Sequence, residues 1–221
     1  VTKIKICGIR SAENALAVAR AGADMLGLNF YPKSPRYLAP EAASAIVRRL
    51  REALGDDCPA MVGVFVNASV DDIRDIVEQV GLDFAQLSGD ESIDTLRALG
   101  GIAFKAIRPA DEAAARADVG RFTDGFTQNS KAPSILLDAF NPKLYGGTGE
   151  TAGESIALAV KTVAPRLMLA GGLNPENVAE RVRRISPWGV DVASGVEAGT
   201  PGIKDEGKAR AFIEAVRAAD A

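Results

Sequence analysis

Leu167-Met168-Leu169-Ala170-Gly171-Gly172-Leu173-Asn174-Pro175 reads as a short buried strand, a tight glycine turn and the start of a helix, with Asn174 as cap and Pro175 at the first helical position. The order returns in Val190-Asp191-Val192-Ala193-Ser194-Gly195-Val196-Glu197. Counting outward from 167–170 and 190–193, six further β-rich runs lie upstream, at 3–7, 24–30, 60–66, 83–87, 102–107 and 134–138. Amphipathic segments rich in Ala, Arg and Glu separate them, at 11–21, 40–54, 69–80, 92–99, 111–119, 154–163 and 175–185, and another follows at 205–218. Ser11 and Ser69 are N-cap candidates. Gly22-Ala23-Asp24 and Gly81-Leu82-Asp83 repeat one device, a glycine that stops a helix just before a strand. The stretch 120–133 lacks periodicity and reads as loop or frayed helix. Eight βα units of about 28 residues predict an α/β fold, a single (β/α)8 barrel spanning residues 1–221. The alternative is an open doubly wound sheet. Its glycine fingerprint is absent after the first strand, where Cys7-Gly8-Ile9-Arg10 stands.

Composition narrows the chemistry. Lys and Arg total 26, Asp and Glu 29, and histidine is absent. Apolar residues make up 47% and charged residues 25%, as in ordinary globular domains. A net charge of −3 offers no footprint for nucleic acid. The longest charge-free stretch, 58–70, falls short of the ~20 residues that span a bilayer, and the N-terminus reads as a strand rather than a signal peptide. No nucleic acid and no membrane is expected as partner. Two cysteines outside any CxxC pair suit a reducing, cytoplasmic setting, and no metal is expected. Without histidine, acid and base work falls to Cys, Asp, Glu, Lys or Tyr.

In a barrel, the loops after the seventh and eighth strands present backbone N–H groups, so Gly171, Gly172, Ala193, Ser194 and Gly195 form a candidate phosphate site that needs no basic side chain. Glycines also simply permit tight turns. The GxxxxGK match at 202–208 is not a P-loop: Ala209 replaces the Ser/Thr that would bind magnesium, and Asp205 and Glu206 would repel phosphate. Cys7 ends the first strand at the ligand face, whereas Cys58 precedes the third strand at the opposite face. Free cysteines are often small buried hydrophobes. Alternation sets Lys5 one step below Cys7 on the same side, where its ammonium would favour the thiolate. Asp138 closes the sixth strand and brings a carboxyl to the rim, a position that also suits a cap. Arg36, in the proline-stiffened 29–37 loop, can fork onto a carboxylate. Asp191 reads as the buried partner of Lys5, and 145–149 as a mobile loop or plain connection.

Together Lys5-Ile-Cys-Gly-Ile9, Lys33-Ser-Pro-Arg36, Gln86-Leu87, Leu137-Asp138 with Gly146-Gly-Thr-Gly149, Leu169 to Asn177, Val190 to Glu197 and Pro201-Gly-Ile-Lys-Asp205 resemble phosphoribosylanthranilate isomerases over essentially the whole chain. The resemblance implies an Amadori rearrangement of a phosphorylated aminoaldose to an aminoketose, with a small-molecule phosphosugar as partner and no cofactor. It implies Cys7 as general base and Asp138 as general acid. It places the anthranilate carboxylate on Arg36 and the phosphate on Gly171, Gly172, Ala193, Ser194 and Gly195. Burial and the anionic substrate would raise the Asp138 pKa while Lys5 lowers that of Cys7. Oligomeric state stays open, a monomer being favoured. Two departures stand out: Ser88 occupies a position that is often histidine in the family, and 150–154 lacks the aromatic that commonly starts the sixth helix.

Overall fold

A computed structural model of the chain describes residues 1–138 and 152–220. The strands are β1 (Lys3–Cys7), β2 (Met25–Asn29), β3 (Ala60–Phe65), β4 (Phe84–Leu87), β5 (Ala103–Ile107), β6 (Ile135–Asp138), β7 (Leu167–Ala170) and β8 (Gly189–Val192). They pair in parallel in chain order, and β8 returns to β1, closing the barrel. The helices are α1 (Ala12–Arg20), α2 (Pro40–Leu54), α3 (Val70–Val80), α4 (Ile93–Ala98), α5 (Glu112–Phe122), α6 (Ala152–Lys161), α7 (Val178–Ile185) and α8 (Glu206–Ala219). This is the (β/α)8 barrel that the repeats predict.

The period-2 alternation of the strands sorts two cores. Met25, Val62, Phe84, Phe104, Leu136 and Met168 fill the barrel, while Ile4, Ile6, Leu26, Leu87 and Leu169 point outward and pack beneath the helices. Inward positions near the carboxyl ends turn polar, with Cys7, Asn29, Gln86 and Asp138 in place of apolar residues. The interior is thus a packed plug with a partly polar top.

Helix starts follow the sequence reading. Ser11 Oγ accepts from the Asn14 N–H at 3.2 Å, and Ser69 Oγ from the Asp72 N–H at 3.1 Å. Two boundaries differ. α7 begins at Val178 rather than Pro175, because Asn174 Oδ1 accepts from the N–H groups of Glu176 and Asn177 and holds a separate turn ahead of the helix. α5 continues past Val119 to Phe122, whose buried ring anchors it, and a 3-10 turn over Thr123–Gly125 follows.

The repeated glycine-to-aspartate device has a physical purpose. Gly22 and Gly81 take positive φ and end their helices, and Asp24 and Asp83 follow two residues later. Asp24 Oδ2 accepts from the Ile4 N–H at 2.9 Å, and the Asp24 N–H donates to the Ile4 carbonyl at 2.8 Å. Asp83 repeats this with Met61, at 2.7 and 2.8 Å. Each carboxylate closes the amino end of the preceding strand, where no ladder partner remains. Asp24 also holds Lys3 Nζ at 2.8 Å and Arg217 Nη2 at 2.9 Å, tying α8 to β1. Burial opposes its ionisation, but Lys3, Arg217 and the Ile4 N–H outweigh burial and keep its pKa below the ordinary carboxylate range. Asp24→Ala is expected to cost about 1–3 kcal/mol, seen as a lowered urea midpoint at neutral pH; an unchanged midpoint would refute this account.

Candidate active site

At the carboxyl ends of the strands lies a cavity of about 680 Å³. Cys7, Arg36, Asp138, Gly171, Gly172, Ala193 and Ser194 all border it. Gly195 does not: its Cα faces the Leu173 carbonyl so closely that any Cβ would collide with it. Its lack of a side chain lets the loops after β7 and β8 pack together, beneath the positions that face the cavity. Gly171 and Gly172 both have positive φ, a turn that side-chain-bearing residues rarely adopt, and Asn177 Nδ2 pins the Gly172 carbonyl at 2.9 Å. The 145–149 segment lies outside the described residues.

Cys7 sits beside the seam between β1 and β8. Lys5 and Asp191 are register partners across that seam, and Lys5 Nζ donates to Asp191 Oδ1 at 3.0 Å with the lysine wholly buried. Burial disfavours the Lys5 ammonium, but Asp191 and Cys7 outweigh it and raise its pKa above the ordinary lysine value. For Cys7 the balance runs against expectation. Desolvation pushes the thiol up, and Asp191 adds to it; Lys5 and Lys204 pull the other way but do not overcome it. Lys5 therefore limits the rise rather than producing a depressed pKa. Space for the sulfur comes from Gly27, the β2 neighbour of Cys7, where an added Cβ would stand 2.8 Å from Sγ.

Arg36 finds a carboxylate within the protein. Its Nε and Nη2 fork onto Glu197 Oε1 and Oε2, each at 2.7 Å. Glu197 Oε1 also accepts from the Gly202 N–H at 2.8 Å and from Lys204 Nζ at 3.1 Å, and Lys204 Nζ reaches the Ala193 carbonyl at 3.0 Å. Burial opposes charge on Glu197, yet Arg36, Gly202 and Lys204 hold its pKa down at about 2. Two of the five guanidinium hydrogens are thus spent on orientation, and the group still borders the cavity. Gly8 makes room for it: φ is +79°, and a Cβ there would meet Arg36 Cδ at 2.5 Å. The residues of the GxxxxGK decoy serve this network. Asp205 caps α8 through the Lys208 N–H at 2.9 Å, and Lys208 Nζ holds the Glu197 carbonyl at 3.0 Å.

Asp138 stands across the cavity from β1 and β2. Its side chain is 30% exposed, and Oδ2 accepts from Arg108 Nε at 3.0 Å. Arg108 escaped the sequence reading, although a cation just past the end of β5 occupies a rim position. Gln86 stands out in the sequence only as part of a motif. It borders the cavity, is 6% exposed, and donates from Nε2 to Ser88 Oγ at 3.1 Å. Among the described residues no group of three or more Cys, Asp or Glu is placed to hold a metal.

Residues 4–215 match the family described as N-(5'phosphoribosyl)anthranilate (PRA) isomerase. An N-(5'-phosphoribosyl)anthranilate isomerase of Roseiflexus castenholzii is 46% identical, covering 98% of this chain and 98% of its own. One of Chlorobaculum parvum is 42% identical, covering 100% and 97%. The crystal structure of phosphoribosyl anthranilate isomerase from Thermotoga maritima superposes with a TM-score of 0.84 at 37% identity, over 99% of this chain and 100% of that one. A phosphoribosyl anthranilate isomerase in complex with reduced 1-(o-carboxyphenylamino)-1-deoxyribulose 5-phosphate gives 0.83 at 34%, over 99% and 100%.

The Glu197 network has a pH signature. A carboxyl whose pKa falls on folding contributes stability above its unfolded value, near 4.5, and loses it as pH drops towards about 2. Glu197→Gln is expected to be less stable than wild type by about 1–3 kcal/mol at pH 7. In urea titrations at stepwise lower pH the gap should narrow through that acid window. A gap constant with pH would show that the glutamate charge plays no part.

Proposed function

The chain belongs to the N-(5'-phosphoribosyl)anthranilate isomerase family, and from that premise we propose how the residues of this cavity divide the work. The activity is that of an aldose-ketose isomerase in tryptophan biosynthesis. N-(5-phosphoribosyl)anthranilate becomes 1-(2-carboxyphenylamino)-1-deoxyribulose 5-phosphate, with no change in overall composition. The observation that carries the division of roles is the opening of Cys7, Asp138, Arg36 and the β7 and β8 glycine turns onto one cavity.

The substrate has an anion at each end, and the cavity offers a different device for each. Backbone turns at Gly171, Gly172, Ala193 and Ser194 take the phosphate, with Gly195 keeping the two loops in contact. The guanidinium hydrogens of Arg36 not used by Glu197 take the anthranilate carboxylate. Between these anchors Asp138 gives a proton to the ribose ring oxygen. The C1–O bond breaks and the amine lone pair forms a protonated C1=N bond. The Cys7 thiolate then removes the C2 proton, and the C2–H electron pair forms a C1=C2 bond while nitrogen recovers the iminium pair. The resulting enolamine gains a proton at C1 and loses the C2 hydroxyl proton, giving the ketose.

No helix among the described residues is long and apolar enough to cross a membrane. A substrate that carries both a phosphate and a carboxylate does not cross a bilayer unaided, so a cytoplasmic site of action fits.

Cys7→Ser and Asp138→Asn should each lower turnover of phosphoribosylanthranilate by about 10²–10⁴-fold while retaining the wild-type circular dichroism spectrum; folded variants with wild-type turnover would refute the roles. Since desolvation raises the Cys7 pKa, the thiolate fraction grows from neutral into alkaline pH, and kcat/KM should climb with it. In a Cys58→Ser background, Lys5→Met is expected to move the thiolate absorbance titration to still higher pH. An identical titration would remove Lys5 from the account.

A further inference from the structure

Gln86 presents an anomaly that its fold does not resolve. The residue is more than nine-tenths buried, lies on β4 level with Val64 of β3 and Phe104 of β5, and borders the cavity. Its Nε2 donates to Ser88 Oγ at 3.1 Å. Its Oε1 has no hydrogen-bond partner among the described residues. A buried acceptor without a donor is costly, and in native proteins such a group calls for an explanation. Its level neighbours Val64 and Phe104 are apolar, and the residue borders the cavity, so a donor that enters the cavity can supply the hydrogen.

Topology indicates which hydrogen. The phosphate anchors lie after β7 and β8, and the proposed base and acid stand on β1 and β6, so the reacting C1–C2 bond lies between those strands. β4 is the wall opposite β8 in the closed order. Beyond C1, counted from the phosphate, the next atom of the substrate is the anilino nitrogen. We propose that Gln86 Oε1 accepts a hydrogen bond from that N–H, making Gln86 a catalytic residue that stabilises the iminium; this rests on the isomerase reading above. The nitrogen is neutral in the aminoaldose and in the product, and cationic only once the ring has opened. A fixed carbonyl dipole aimed at it binds the charged intermediate more strongly than either end state, which raises kcat rather than lowering KM. Ser88 is the positioning residue: it accepts from Nε2 and leaves Oε1 as the end of the amide without a partner among the described residues.

The test compares wild type with Gln86→Met, which keeps the length of the side chain and removes both amide atoms. Turnover of phosphoribosylanthranilate and affinity for reduced 1-(o-carboxyphenylamino)-1-deoxyribulose 5-phosphate, whose amine is neutral, are measured side by side. Loss of a hydrogen bond to a cation predicts a kcat lowered on the order of 10- to 100-fold, with KM and the Kd of the reduced product within about threefold of wild type. Wild-type kcat in the variant overturns the inference, as does an equal loss in kcat and product affinity, which would mean uniform binding or general distortion. If Gln86→Met does not fold, Gln86→Asn retracts the carbonyl by one methylene and reads out the same loss. Absence of turnover in the wild-type protein would instead sink the isomerase reading, so the two failures are distinguishable.

Discussion

Lys5 and Asp191 meet where the first strand joins the last, and the barrel cannot close without bringing them together. An ammonium with no access to water is tolerated only when paired, because an isolated buried charge is very unfavourable. The register that sets Lys5 opposite Asp191 is also the one that carries Cys7 to the cavity floor two residues later. Closure and site construction are therefore a single event. The pair also sets the electrostatics at the sulfur, since its two charges act on the thiol in opposite directions.

A second network does for the rim what that pair does for the floor. Glu197 gathers Arg36 from the loop after β2, Lys204 and Gly202 from the segment before α8, and through Lys204 the Ala193 carbonyl after β8. Arg36 and the loop after β8 are thereby parts of one hydrogen-bonded assembly. On the reading proposed above, a chain with more acidic than basic residues receives a substrate with an anion at each end by using backbone N–H groups for one and a guanidinium already oriented by a buried carboxylate for the other. Preorganisation of this kind takes the ordering of the arginine out of the binding step.

Much of this was legible beforehand. Strand periodicity located all eight strands within a residue or two, since inward and outward faces both bury apolar side chains and the turns carry glycine or asparagine. Ser11 and Ser69 announced their helices by cap chemistry alone. Asn174 did not, because its side chain is equally suited to closing a turn ahead of the helix, and only the competing Asn177 side chain decides between them. At the site, motif spacing named Cys7, Asp138, Arg36 and most of the loop glycines. It could not weigh desolvation against the Lys5 charge at Cys7, which depends on how much protein surrounds the sulfur. Nor could it see that Glu197 occupies the Arg36 fork, or that Arg108 meets Asp138, since both pairs join segments remote in the chain. Gln86 carries no sequence signal beyond its motif; its significance lies in a missing partner.

Gly8 is locked twice, and the two locks differ in kind. Its positive φ excludes a side chain whatever surrounds it, while the 2.5 Å approach of Arg36 Cδ excludes one only as long as the arginine stays. A descendant of this protein that abandoned the guanidinium for some other recognition group would lift the second restriction and leave the first. Evolutionary drift in this corner of the barrel therefore has a direction: position 36 can change hands while position 8 remains glycine, so the glycine outlasts the specificity it accommodates.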